Sequence, residues 1–111
     1  MRLMITESAL KQLNLLMDES HTTLRLYYDT EGLGCGVNGQ PTIRLVNTNK
    51  REAHREVKNE HIPVIIDHQQ GVFFRNEMKL DLVKGTFRLS SPEGILNPII
   101  PTGTVKKEVS L

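Results

Sequence analysis

Ala9, Leu10, Leu13, Leu16 and Met17 recur at intervals of three and four, the spacing of one apolar helix face. Thr6 stands at the N-cap position and Glu7 in the first turn, where an acid favours the helix dipole, so a capped helix is predicted. Beyond Ser20-His21 the pattern changes to short β-branched and aromatic runs separated by turn residues. These predict strands at Leu24–Tyr28, Ile43–Val46, Val64–Ile66, Val72–Phe74, Leu80–Val83 and Thr86–Leu89. Leu24, Leu26 and Tyr28 alternate with Arg25 and Tyr27, which predicts one buried face and one wet face. One helix followed by six strands describes a small, sheet-rich α+β domain with an N-terminal helix.

The longest distinctive connection runs from Asp29 to Thr42 and holds Gly32, Gly34, Gly36, Gly39 and Pro41, all turn formers. Residues 47–61 are mostly charged, with only Ala53 and Val57 at helical spacing, and fit an exposed helical turn or a solvated loop that Pro63 closes. Ser90 to Gly103 carries Pro92, Gly94, Asn97-Pro98 and Pro101, a pattern too broken for a regular element. Its Ile95, Leu96, Ile99 and Ile100 are expected to strap irregular chain onto the core. Residues 104–111 are expected to form a frayed tail of one domain covering 1–111.

The 111 residues suit a single core. Fourteen basic side chains against thirteen acidic ones leave a formal charge of +1, which supplies no field for nucleic acid or anionic lipid. No run approaches membrane-spanning length and the first residues are too short for a secretory apolar region. The expectation is a cytoplasmic protein without nucleic-acid or membrane partners, in a reducing compartment that suits an unpaired thiol.

That thiol is Cys35, the only cysteine, within Gly32-Leu33-Gly34-Cys35-Gly36. The glycines permit a curved run of backbone N–H groups able to lower a thiol pKa or to donate to cluster sulfides; an inert cysteine in a flexible turn is the bland alternative. The glycine spacing does not complete a dinucleotide fingerprint and leads into Asn38-Gly39-Gln40-Pro41 instead of a helix. His54, His61 and His68 recur every seven residues, but Pro63 and the strand-like Val64-Ile65-Ile66 prevent one helix from carrying them. Neither a nucleophile–base pair nor a carboxylate pair is recognisable by spacing, so no catalytic residue and no enzymatic activity is expected.

Ile5-Thr6-Glu7-Ser8-Ala9, then Leu24-Arg25-Leu26-Tyr27-Tyr28 followed by Gly34-Cys35-Gly36, resemble the opening helix, first strand and first cysteine loop of the HesB/IscA family of A-type iron-sulfur carriers. Pro63-Val64-Ile65-Ile66-Asp67 and Met78-Lys79-Leu80-Asp81-Leu82 resemble the family's two aspartate-bearing strands, and Gly85-Thr86-Phe87-Arg88-Leu89 the strand before its Asn-Pro-Asn turn. Here Ser90-Ser91-Pro92-Glu93 replaces that turn, and Gly94-Ile95-Leu96-Asn97-Pro98 stands where the C-terminal Cys-Gly-Cys would be sought.

The resemblance implies a HesB-like fold and a role as an iron-sulfur assembly accessory or a carrier of iron or cluster. It implies iron or an iron-sulfur cluster as cofactor, Cys35 as the metal-binding thiolate, Gly34 and Gly36 as its permissive neighbours, and assembly or recipient proteins as partners. A cluster normally takes four ligands, mainly thiolates. A symmetric homodimer would bring two copies of Cys35 together, with Asp29, Asp67 and His68 as candidates for further positions. The alternatives are a non-metal adaptor on the same fold, with residues 95–100 as its contact surface, and a redox-sensing thiol.

Overall fold

The computed structural model describes residues 1–30, 39–47 and 54–106. Helix α1 (Glu7–Leu16) begins at Thr6, whose Oγ1 accepts from the Ala9 amide at 3.3 Å. The same hydroxyl donates to Asp81 Oδ1 at 2.9 Å, tying the cap to a strand. That bond, with a second from the Leu82 amide, holds the Asp81 carboxyl below its ordinary pKa. Ala9 and Leu13 are fully buried, as their spacing predicts.

The strands β1 (Arg2–Ile5), β2 (Thr23–Asp29), β3 (Gln40–Val46), β4 (His54–Val57), β5 (Val64–Asp67), β6 (Glu77–Val83), β7 (Thr86–Ser91) and β8 (Gly94–Ile100) form two mixed four-stranded sheets. The first has the order β1-β6-β7-β8 and the second β3-β2-β5-β4. In each sheet one pair is parallel, β1 with β6 and β2 with β5, and the other pairs are antiparallel.

Leu3, Ile5, Leu80, Phe87 and Leu89 from the first sheet meet Leu24, Leu26, Ile43, Leu45 and Ile66 from the second in one apolar cluster with α1. The sheets also touch along two margins. Asn97 of β8 donates to the Pro41 carbonyl at 2.7 Å, and β1 meets the end of β4 through a parallel bridge between Arg2 and Lys58. The Leu3 amide donates to the Lys58 carbonyl at 2.9 Å and the Lys58 amide to the Met1 carbonyl at 3.1 Å.

Several expectations need correction. Val72–Phe74 is not a strand: His68–Phe73 forms a 3₁₀ segment, because the Asp67 carboxylate accepts from the Gln69 amide at 2.8 Å and starts a tight turn instead. The interrupted stretch after Ser90 does contain a regular element, β8. Pro98 lacks an N–H, but β8 is the outer strand of its sheet and its pairing with β7 shifts register between Phe87 and Ser90, conditions under which a strand accommodates proline.

Of the tail expected to fray, 104–111, residues 107–111 lie outside the described residues, whereas 104–106 are held to the fold. Val105 is fully buried and its carbonyl accepts from the Leu45 amide at 2.7 Å. Lys106 reaches Asp18 at 2.7 Å, and this bond, with one from His21, holds the Asp18 carboxyl far below its usual range. Strands β1 and β4 were not expected. Each is four residues long, as β5 is, but RLMI and HREV lack the continuous β-branched run that marks Val64-Ile65-Ile66.

Candidate functional site

The parallel pairing of β2 with β5 sets Leu24 against Val64 and Leu26 against Ile66. Both strands therefore finish at the same end of the second sheet. Strand β2 ends at Asp29, from which the chain continues through residues 30–39 to β3; β5 ends at Asp67, followed by His68. Strand β4 runs antiparallel to β5 and places His54 in register with Asp67, at that same end. His61 precedes β5 and is exposed, so the strand, about 13 Å long at the usual rise, separates it from His68.

Cys35, Gly34 and Gly36 lie outside the described residues. The base of their segment is described, and it is crowded. Asp29 and Gln40 are the terminal partners of the β2–β3 ladder. A Cβ placed on Gly39 would stand 2.6 Å from Tyr28 Cε2, 2.7 Å from the Asp29 carbonyl oxygen and 2.8 Å from Thr30 Cγ2. No side chain fits there without displacing backbone.

From the other side, the Tyr28 amide donates to Gln70 Oε1 at 3.0 Å. The Tyr28 ring stacks on Phe73 with centroids 3.6 Å apart and planes 7° from parallel, so the 3₁₀ segment after β5 is fastened to the end of β2. Val72 and Phe73 leave apolar surface exposed beside this contact.

The face of β2 that alternation predicts to be wet is largely enclosed. Thr23 and Tyr27 are buried, as are Thr42 and Arg44 on the neighbouring strand. Arg25 and Arg44 are direct cross-strand partners, and their guanidinium carbons lie 5.4 and 5.3 Å from the Tyr27 ring centroid, within cation–π range. Each also reaches a carboxylate at the strand ends, Arg25 to Asp67 at 3.7 Å and Arg44 to Asp29 at 3.1 Å. Asp29, Thr42, Arg44 and Asn97 line a small cavity of about 170 Å³ beside this pair.

Asp29 and Asp67 thus hold arginines, and Asp67 also caps the 3₁₀ segment; His68 is exposed at its start. Asp81 sits under the cap of α1, engaged with Thr6. Among the described residues no group of three or more His, Cys, Asp or Glu side chains is placed to hold a metal ion. With one cysteine in the chain, the donor set of a single copy does not match a four-thiolate cluster cage.

Arg44, Tyr27, Gln70 and Phe73 escape sequence reasoning. Arg44 stands between Ile43 and Leu45 in a predicted strand, a sign that β3 has a polar face, but its carboxylate partner follows only from the β2–β3 register. Of the apolar tail residues, Ile100 is buried and Leu96 partly so, while Ile95 and Ile99 are exposed. No helix among the described residues is long and apolar enough to cross a membrane.

Comparison with known proteins agrees with this architecture. The crystal structure of a Lactobacillus salivarius protein assigned to Fe-S biosynthesis, described as a novel fold, superposes with a TM-score of 0.72 at 20% identity, over 91% of this chain and 95% of that one. A Lactobacillus acidophilus protein with the same assignment gives a TM-score of 0.69 at 18% identity, over 96% and 95% of the two chains. At these identities the likeness establishes the fold. YqkB of Bacillus subtilis (strain 168), itself uncharacterized, is 33% identical over 101 residues, or 88% of this chain and 94% of its own. The family model described as iron-sulphur cluster biosynthesis matches residues 1–104, and the chain belongs to that family.

Proposed function

We propose that this protein is an accessory of iron-sulfur cluster assembly that handles iron or cluster as cargo, with Cys35 as the one thiolate a copy offers. The observation that carries this reading is the parallel β2–β5 pairing. It brings the end of β2, six positions before Cys35 in sequence, to the same sheet end as Asp67, His68 and the exposed Val72–Phe73 surface. Family membership supplies the chemical context.

Since one chain provides one thiolate, any further thiolate comes from outside it, and a second copy is the simplest source. Anaerobic incubation of the full chain with iron and sulfide is expected to give a visible chromophore at one cluster per two chains. Cys35→Ser should abolish it while leaving the far-UV circular dichroism unchanged. Failure of the wild-type protein to retain stoichiometric iron and sulfide refutes the proposal.

A second reading, an adaptor that contacts a protein partner through its last strand, is favoured by the outward-facing Ile95 and Ile99. In that case Cys35→Ser leaves capture of an assembly or recipient protein intact, and an Ile95→Ser/Ile99→Ser double substitution weakens it.

A further inference from the structure

We infer that the cleft between β1 and the connection from Lys58 to Pro63 is a docking site for an extended, mixed-charge segment of a partner protein, which adds to the open edge of β1. The cleft encloses about 1290 Å³. Buried Leu3, Ile5, Val57 and Val64 line it from within, and the exposed Arg2 and Lys58 stand at its rim. Thr23 and Val64, which both line it, are the first residues of β2 and β5. The cleft therefore lies at the end of the second sheet away from Asp29 and Asp67, and the inference does not draw on the reading of Cys35.

The backbone of β1 turns its bonding groups alternately to two sides. The amides of Arg2 and Thr6 donate to the carbonyls of Asn76 and Leu80 on the side of β6, whereas the Leu3 amide donates to the Lys58 carbonyl on the other side. Beyond Lys58 the backbone pairing with β1 stops, and Asn59 offers its side chain instead, Nδ2 donating to the Leu3 carbonyl at 2.7 Å. Ile5 is the next residue to face that way. It is 6% exposed, and among the described residues no group bonds its amide or its carbonyl. A buried amide and carbonyl call for partners, and here both turn to the cleft.

The opposite margin is treated differently. There Asn97 Nδ2 donates to the Pro41 carbonyl, Arg44 Nη1 to the Ile43 carbonyl and the Leu45 amide to the Val105 carbonyl. A strand edge left open toward a cleft is one that an extended peptide lengthens by main-chain bonds, its side chains alternating between floor and rim. The rim sets their charge. Arg2 and Lys58 face each other across the bridge between β1 and the end of β4, where like charges repel, and neither forms an ion pair among the described residues. Glu56, Glu60, Glu77 and Lys79 also line the cleft, so the segment meets both signs. The one that fits sets an acid between Arg2 and Lys58 and its apolar sequence neighbour over Ile5.

The test is selection of a displayed library of random peptides on the full chain, followed by titration and amide hydrogen exchange with the selected sequences. These should pair an acid with an adjacent apolar residue. At saturation they should slow exchange of the Ile5 amide about tenfold, the effect of a new main-chain bond on a local opening. Arg2→Gln/Lys58→Gln changes two exposed side chains and should weaken binding about tenfold. Ile95→Ser/Ile99→Ser should leave it unchanged.

A selection that enriches no sequence overturns the inference. So do selected peptides that leave the Ile5 amide exchanging at its free rate, that bind the Arg2→Gln/Lys58→Gln protein as tightly as wild type, or that lose affinity for the Ile95→Ser/Ile99→Ser protein and so dock on β8. No iron or sulfide enters the measurement. Its failure leaves the cargo reading standing, and failure of iron retention leaves this one.

Discussion

Strands β6, β7 and β8 of the first sheet turn back on themselves through short connections, whereas β2 and β5 of the second run out at a shared end into segments rich in chemistry. The difference is visible residue by residue. Between β6 and β7 the chain needs only Lys84-Gly85, with φ of 52° and 83°, both left-handed as a two-residue hairpin turn of the primed kind requires. In the second sheet, Asp29 and Asp67 each end a strand and each answer an arginine from its middle.

The faces differ as well. The first sheet alternates simply along β6 and β7, with Met78, Leu80, Phe87 and Leu89 inward. The second is enclosed on both sides, apolar toward the core and polar around Arg44, Thr42 and Tyr27. A sheet that only contributes to a core can leave its other face to water. The second sheet places its two arginine–carboxylate ion pairs on the face away from the apolar cluster, because charges inside the apolar layer would lose more solvation than they regain.

The largest expected effect asks whether two sheets so different still fold together. Leu26→Ala in the second and Leu80→Ala in the first each remove a fully buried side chain and should cost about 2–5 kcal/mol. Both tyrosines, Tyr27 and Tyr28, lie in β2, so tyrosine fluorescence reports the second sheet alone. If the shared cluster makes one cooperative unit, Leu80→Ala shifts the fluorescence transition in urea as far as the circular dichroism transition. A fluorescence midpoint that stays put would show the sheets to be separable.

A smaller effect sharpens the same contrast at the margin where β8 meets β3. The Asn97 side chain is 3% exposed, donates to the Pro41 carbonyl and accepts from the Ile99 amide. Asn97→Ala leaves both groups without that partner and should cost about 1–3 kcal/mol in urea denaturation. A loss indistinguishable from zero would assign the contact between sheets to apolar packing alone.

The smallest concerns acid sensitivity in the first sheet. The Asp81 carboxyl is held below its ordinary value by the Thr6 hydroxyl and the Leu82 amide, so the folded state favours the ionised form. Its contribution is present above the unfolded-state pKa of ~4 and is lost as pH falls through the lower folded value. Wild type should therefore lose stability below about pH 4 more steeply than Asp81→Asn, measured as urea midpoints from neutral to acid pH. Parallel slopes would remove Asp81 as a source of acid sensitivity.

Elements with a strong local period were legible before folding. Helix α1 needs only its own apolar spacing and the Thr6 cap, and β2, β3, β5, β6 and β7 carry the expected runs with their ends a few residues further out. Strand β8 was hidden because Pro98 and a register shift break its alternation. The 3₁₀ segment was hidden because Val72 and Phe73 look strand-like until Asp67 turns the chain ahead of them. Cys35 was conspicuous from the outset as the only thiol, and the chain's family could be recognised around it.

Local spacing and composition sufficed for the helix, most strands, the solitary thiol and the family resemblance, since each depends on neighbours a few positions away and on the backbone's own period. The burial of Arg44, its hold on Asp29, the anchoring of Val105 and the meeting of β2 with β5 had no such local trace. Leu26 meets Ile66, and Asn97 meets Pro41, across long stretches of chain. Such pairings form only because the whole apolar cluster is buried at once, a free-energy gain that belongs to no single segment.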